Sequence, residues 1–234
     1  MFPLQYAYLI LGILLGIIWL ALFLYRKDIR REMLIISTAF GIGGILAEHV
    51  YLKDWWQPLT ITNTPIGIED FIFGFTTGGI ASVIYEVIFK KRVKEKKGLK
   101  ILNGKHLIDA GIILLLPILF FGSNIYFGLN TLHASFLGYG VPLLIMYVRR
   151  KDLIVDSLVS GVSLLVIIFV IYSAVELLSP GWVLHFWTFQ NVPPIIFWNV
   201  PVDDLMWYII TGAFIGIMYE FLQESPLFRW RKLK

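Results

Sequence analysis

Seven mostly apolar stretches divide this chain, at about 5–25, 33–51, 66–89, 107–123, 131–148, 153–178 and 201–223. Each is near the ~20 residues that a helix needs to cross ~30 Å of hydrocarbon. A helix also satisfies its own backbone in lipid, where no water is present to do so. The pattern therefore predicts an all-α, polytopic membrane protein of about seven transmembrane helices. The fourth stretch is the shortest and carries Pro117, which predicts a kink there. The opening residues, MFPLQYAYLI, have neither a basic leader nor a small-residue cleavage site and read as part of the first span.

Composition agrees with that pattern. The chain has 234 residues, of which 58% are hydrophobic and 15% charged, with mean hydropathy +0.76. Soluble domains carry ~25% charged residues. The length suits one helical bundle. A net charge of +4 and a pI near 9.2 raise the question of nucleic acid. The charge sits in short clusters between apolar spans, however, so it marks membrane-flanking loops and no nucleic-acid partner. Without cysteine there are no disulfides, no Cys-ligated metals and no thiol catalysis.

The clusters also orient the chain. All but one of the 20 lysines and arginines fall in alternate connections: 26–31, 90–105, 149–151 and the tail from Arg229. The opposite loops hold only Lys53. The positive-inside rule then predicts a multi-pass cell-membrane protein with its N-terminus outside and its C-terminus in the cytoplasm. Two outer loops, 52–65 and 179–200, hold five of the eight tryptophans, Trp56 and Trp187 among them. An aromatic belt at the interface accounts for such residues; loops that dip back and close a cavity account for them equally well.

The third and seventh spans align at an offset of 134 residues: IEDFIFGFTTGGIASVIYE (68–86) against VDDLMWYIITGAFIGIMYE (202–220). The acid pairs Glu69-Asp70 and Asp203-Asp204 coincide, as do Thr77-Gly78 with Thr211-Gly212 and Tyr85-Glu86 with Tyr219-Glu220. Each copy follows a tryptophan-containing loop and a helix ending in a glutamate, Glu48 or Glu176. Four intervening helices leave both copies running the same way, so the repeat is parallel. The predicted organisation is a first repeat over 1–100, a linking helix within 101–130 and a second repeat over 131–234.

Charges inside a membrane cost roughly 2.5–3.5 kcal/mol each at a helix centre, which makes Glu69, Asp70, Asp203, Asp204, Glu48 and Glu176 candidates for catalysis. Helix capping explains one acid per first turn but explains a repeated doublet less well. Residues four apart share a helix face. Glu69, Phe73 and Thr77 thus form one stripe, and Asp203, Trp207 and Thr211 its counterpart. An acid with an aromatic ring one turn deeper suits carbocation chemistry, in which a proton donor is followed by a π surface for the cation. Glu86 and Glu220 lie near the basic loops and read as partners of Lys90, Lys91 or Arg229. His49, His133 and His185 show no HxxxH or HExxH spacing, so no metal is assigned. No GxGxxG or Walker motif appears, and no cofactor is expected.

A tryptophan-rich outer loop followed by Pro-x-acid-acid at a helix start, occurring twice in seven helices, resembles the membrane lycopene cyclase domain family, in its fused single-chain form. Pro201-Val202-Asp203-Asp204 matches the family's Pro-x-Glu-Glu/Asp pattern with Asp for the first Glu, and Gly67-Ile68-Glu69-Asp70 has Gly for Pro. The resemblance implies a cofactor-independent, acid-catalysed isomerisation that cyclises the end group of a linear polyene such as lycopene or a longer carotenoid. That reaction is an intramolecular lyase activity of carotenoid biosynthesis. Glu69 and Asp203 stand first as acid or base, then Asp70 and Asp204, with Phe73 and Trp207 facing the cation. The expected partners are the lipophilic polyene, membrane lipid and other enzymes of the pathway. A membrane transporter, another carotenoid- or terpenoid-modifying enzyme, and a structural membrane protein are the competing readings.

Overall fold

The computed structural model describes residues 1–93, 104–190, 193–223 and 227–229. Half of the basic cluster between the third and fourth spans lies outside them, as does the tail beyond Arg229. Among the described residues seven helices are long and apolar enough to cross a membrane. They are α1 (Ala7–Tyr25), α2 (Arg30–Tyr51), α3 (Ile68–Ile88), α4 (Gly104–Phe127), α5 (Thr131–Arg149), α6 (Ile154–Leu178) and α8 (Val202–Gln223). A short helix, α7 (Trp182–Phe186), lies in the loop before α8. The fourth helix is longer than its apolar stretch and runs through Pro117 without ending.

The bundle is arranged for lipid. Ile13, Ile17, Leu20 and Leu24 form a stripe at helical spacing along α1 and are half exposed or more. Val155, Leu158, Val162, Val166 and Val170 do the same on α6. The interior instead takes the carboxylates, hydroxyls and aromatic rings that lipid would not tolerate. The most buried spans are α3 and α8, which pack against each other. Helices α1 and α2 lean on α3, while α5 and α6 lean on α8. The linking helix α4 packs mainly on α5.

Small residues make the tight crossings, as is usual where lipid removes the hydrophobic drive for helix association. A Cβ on Gly44 of α2 would come 2.6 Å from the Asp70 carbonyl oxygen of α3. A Cβ on Gly161 of α6 would come 2.6 Å from the Ile209 carbonyl oxygen of α8. These backbones approach closely because no side chain stands between them.

One end of the bundle is basic. There Arg26 and Arg150, each in an Arg-Lys-Asp turn before α2 or α6, form ion pairs of 2.7 Å with Asp28 and Asp152. Each also donates to a carbonyl in the last turn of a central helix: Arg26 Nη1 to Glu86 O at 3.1 Å, and Arg150 Nη1 to Glu220 O at 3.4 Å. Two short strands, β1 (Lys91–Val93) and β4 (Leu227–Arg229), pair antiparallel just beyond α3 and α8. At the opposite end, β2 (Ile196–Phe197) and β3 (Val200–Pro201) form a hairpin that leads into α8.

Candidate active site

The tryptophan end holds the site. The loop after α2 and the loop after α6 join each other: Thr188 N donates to Trp55 O at 2.9 Å, and Gln57 N to Phe186 O at 2.7 Å. Trp56 and Trp187 face each other across this junction with ring centres 5.2 Å apart. Asp54 anchors the junction to α5 by accepting from the backbone N–H of Thr131 at 3.1 Å and from its hydroxyl. Trp55, Trp56, Trp182 and Trp187 are buried and so form a roof more than a belt, while Trp198 stays exposed.

Beneath the roof is a cavity of about 400 Å³, within the usual ~300–1,000 Å³ of small-molecule sites. Its walls are rich in aromatic and aliphatic side chains, with three carboxylates facing in: Glu48 from the end of α2, Asp70 from the start of α3 and Asp204 from the start of α8. Asp204 is held by three donors. The indole N–H groups of Trp55 and Trp187 reach Oδ1 at 2.9 and 3.0 Å, and the Tyr172 hydroxyl reaches Oδ2 at 2.5 Å. Asp70 has two, the Tyr8 hydroxyl on Oδ1 at 2.8 Å and Gly67 N on Oδ2 at 2.7 Å, so it caps α3 while facing the cavity. Glu48 has one long contact, from the Trp56 indole to Oε2 at 3.4 Å; its Oε1 is buried with no partner among the described residues.

The other three expected acids turn away from the cavity. Glu69 accepts from Ile61 N at 2.7 Å and tethers the first tryptophan loop. Asp203 accepts from Asp204 N at 3.1 Å. Glu176 accepts from Gly181 N at 2.8 Å, where the second loop turns through a left-handed glycine (φ 81°). The stripe down α3 is thus Asp70, Phe73, Gly74 and Thr77, and down α8 it is Asp204, Trp207, Tyr208 and Thr211. Each keeps the aromatic and threonine positions traced through Glu69 or Asp203 and replaces only the acid by its neighbour. Phe73, Thr77, Trp207, Thr211, Trp56 and Trp187 all line the cavity. Phe73 and Trp207 stack at 6.4 Å with 23° between their planes, one from each central helix.

Sequence reasoning missed the tyrosines. Tyr8, Tyr51, Tyr139, Tyr172 and Tyr208 line the cavity. A tyrosine within a span needs a partner for its hydroxyl, and that was the available signal. Tyr51 accepts the Trp207 indole N–H at 2.9 Å and contacts Ser135 Oγ at 3.2 Å, while the hydroxyls of Tyr172 and Tyr208 are 3.2 Å apart.

The cavity has a lateral mouth. Ile42 and Leu46 of α2 and Leu114 of α4 line it yet are 53%, 53% and 57% exposed. Helix α2 packs on α3 and α4 on α5, leaving this gap facing the surface that the apolar stripes assign to lipid.

At the basic end, Glu86 and Glu220 do not take the lysine partners that the sequence suggested. Their buried carboxylate oxygens accept from no cationic side chain among the described residues, and Lys91 donates instead to the Tyr85 hydroxyl at 2.5 Å. That bond holds the Lys91 ammonium above the usual lysine range. The Arg229 side chain lies outside the described residues.

Fold and site together define a polytopic membrane protein whose helix bundle holds carboxylates against an aromatic cavity open toward the bilayer. The chain belongs to the lycopene cyclase family, whose family model matches residues 5–88 and 130–222. Its function is accordingly of the carotenoid-cyclase type, with a carotenoid polyene as the substrate class. No curated protein and no solved structure matches the chain.

Proposed function

We propose that the protein cyclises the end group of a linear carotenoid by proton addition and removal, without a cofactor. The observation that carries this reading is the convergence of three carboxylates from three helices on one aromatic cavity with a mouth toward lipid. Glu48 is the proton donor in this scheme. A single long contact leaves one of its oxygens without a donor, the arrangement suited to a carboxylic acid that carries its own proton. It protonates the terminal C=C of the polyene. The next C=C attacks the resulting tertiary cation, a C–C bond forms and a six-membered ring closes. Loss of a ring proton then regenerates a double bond. Asp70, close enough to Glu48 to interact electrostatically with it, takes that proton. Atoms and electrons balance within the substrate, so the product is an isomer.

The cation needs negative surroundings and no water. Asp204, fixed by three donors, serves as a preorganised anion, and Phe73 and Trp207 offer their π faces one turn deeper. The tryptophan roof excludes water, which would otherwise trap the cation as an alcohol. Glu69, Asp203 and Glu176 act as positioning residues that hold the loops and helix starts.

Two further readings belong with this one. The chain is built of two parallel repeats, 1–100 and 131–234, joined by a linking helix; the matching Arg-Lys-Asp turns before α2 and α6 support it. The tryptophan end faces outward and the basic end faces the cytoplasm, supported by the charge distribution.

The test is expression in a bacterial host that accumulates lycopene, followed by chromatography of the pigments with mass detection. A new pigment of unchanged mass and blue-shifted spectrum is expected. A product heavier by one water would instead make the protein a hydratase. Unchanged lycopene, with the protein present in the membrane and longer linear carotenoids also untouched, would overturn the reading.

A further inference from the structure

A second group of buried acids lies at the other end of the central helices. Glu86 and Glu220 each follow a cavity acid, Asp70 or Asp204, by sixteen residues on the same helix, a rise of about 24 Å. Glu32, in the first turn of α2, joins them. One carboxylate oxygen from each of the three lies within 4.8 Å of the others. Glu86 and Glu220 are 0% exposed and lie within hydrogen-bonding reach of each other, and among the described residues no other residue donates to their four oxygens.

Cationic side chains lie near this cluster and bond to neighbouring carbonyls and acids, and Arg26 also acts electrostatically on Glu86. Arg26 bonds to Asp28, to the Glu86 carbonyl and to the Lys91 carbonyl at 2.8 Å. Arg150 bonds to Asp152 and to the Glu220 carbonyl. Lys91 is engaged with Tyr85, which also interacts with Asp156. Helices α3 and α8 both end here, so the negative ends of their dipoles add to the carboxylates. Like charges this close, shielded from water, are relieved by a shared proton or by a bound cation, and metal retention distinguishes the two.

We propose that Glu32, Glu86 and Glu220 form a binding site for a hard divalent cation, Mg²⁺ or Ca²⁺, that ties α2, α3 and α8 together at the basic end. The donor set is oxygen only, with no imidazole or thiolate, which is the chemistry of these ions. The spacing also fits. Ligands on opposite sides of one Ca²⁺, at roughly 2.3–2.6 Å from it, stand ~4.6–5.2 Å apart. The site is separate from the cavity and its ion takes no part in cyclisation, so this inference stands whether or not the proposed reaction is correct.

The test uses the full chain purified in detergent, stripped with EDTA and then titrated with MgCl₂ or CaCl₂. Thermal unfolding is followed, and bound metal is measured by elemental analysis after gel filtration. One retained cation per chain is expected, with an unfolding midpoint raised by about 5–10 °C at a cation concentration roughly a hundred times Kd. Glu86→Gln and Glu220→Gln should each abolish retention and the shift. Should either variant fail to fold, the wild-type titration and metal content still decide. No retained metal and no shift at millimolar Mg²⁺ and Ca²⁺ would overturn the proposal, as would equal retention by wild type and both variants.

Discussion

Asp203 and Asp204 are neighbours with the same side chain, and the geometry gives them opposite fates. In Asp204→Asn the amide oxygen can keep both indole N–H bonds now made to Oδ1. The amide nitrogen then faces the Tyr172 hydroxyl, which can accept from it while turning its own proton toward Tyr208, 3.2 Å away. The cage survives and only the charge is lost. A cation formed over Trp207, one helical turn deeper, would lie ~5–6 Å from that charge, and at an effective dielectric of ~20 the lost attraction is about 3 kcal/mol. That corresponds to a roughly hundredfold slower reaction. Asp203→Asn keeps an oxygen for the Asp204 N–H and places no charge change in the cavity, so its rate should stay within about threefold of wild type. The assay is initial cyclisation rate in isolated membranes supplied with lycopene, normalised to the amount of protein by quantitative immunoblot. If Asp204→Asn runs within threefold of wild type, or if Asp203→Asn is equally damaging, the assignment of the inward-facing acid is wrong.

Other consequences can be measured in the same system. Glu48→Gln removes the proposed proton donor and should bring cyclisation to background while membrane level is unchanged; retained turnover would move the donor elsewhere. Trp207→Leu should slow cyclisation by about 5- to 30-fold through loss of the cation–π contact, and Trp207→Phe by less; equal rates for the two variants would argue against a π contribution. Gly161→Val forces a side chain against the Ile209 carbonyl and should destabilise the α6–α8 crossing by about 1–3 kcal/mol, read as a lower unfolding midpoint in detergent. Because the chain has no cysteine, single introduced cysteines report topology without background: Lys53→Cys should react with an impermeant maleimide on intact cells and Lys151→Cys only after lysis, and the reverse would invert the proposed orientation.

What the sequence made legible follows from what the bilayer dictates. Span lengths are set by hydrocarbon thickness, so seven apolar stretches became seven helices with ends displaced by a few residues. The acid doublets marked helix starts for the same reason: a carboxylate is tolerated there by the unpaired N–H groups, as Gly67 N on Asp70 illustrates. Helix rotation was not legible. In a soluble helix the apolar face declares which side is inward, but α3 and α8 are apolar all round. The choice between Glu69 and Asp70 was made by contacts such as Gly44 against the Asp70 backbone, which no spacing rule contains. The tyrosine partners of the acids come from α1 and α6, and the roof from loops 130 residues apart, so neither left a local trace. At the basic end a lysine seemed the natural neighbour of Glu86, yet Lys91 turned to Tyr85 because the helix ends at Ile88 and the chain leaves in another direction.

The sideways mouth between α2 and α4 has a kinetic consequence. A cavity of about 400 Å³ holds one end of a carotenoid, and Ile42, Leu46 and Leu114 leave the rest of the molecule lying in the bilayer. Under the proposed reaction the two ends of a substrate cannot be processed in one visit; the molecule must leave, turn around within the membrane and enter again. Catalysis is then distributive, with one-ring products accumulating first and two-ring products following as the linear pool is drawn down. The ratio of the two becomes a matter of how much enzyme shares the membrane with how much substrate, and the length of the tail matters less than the shape of its tip.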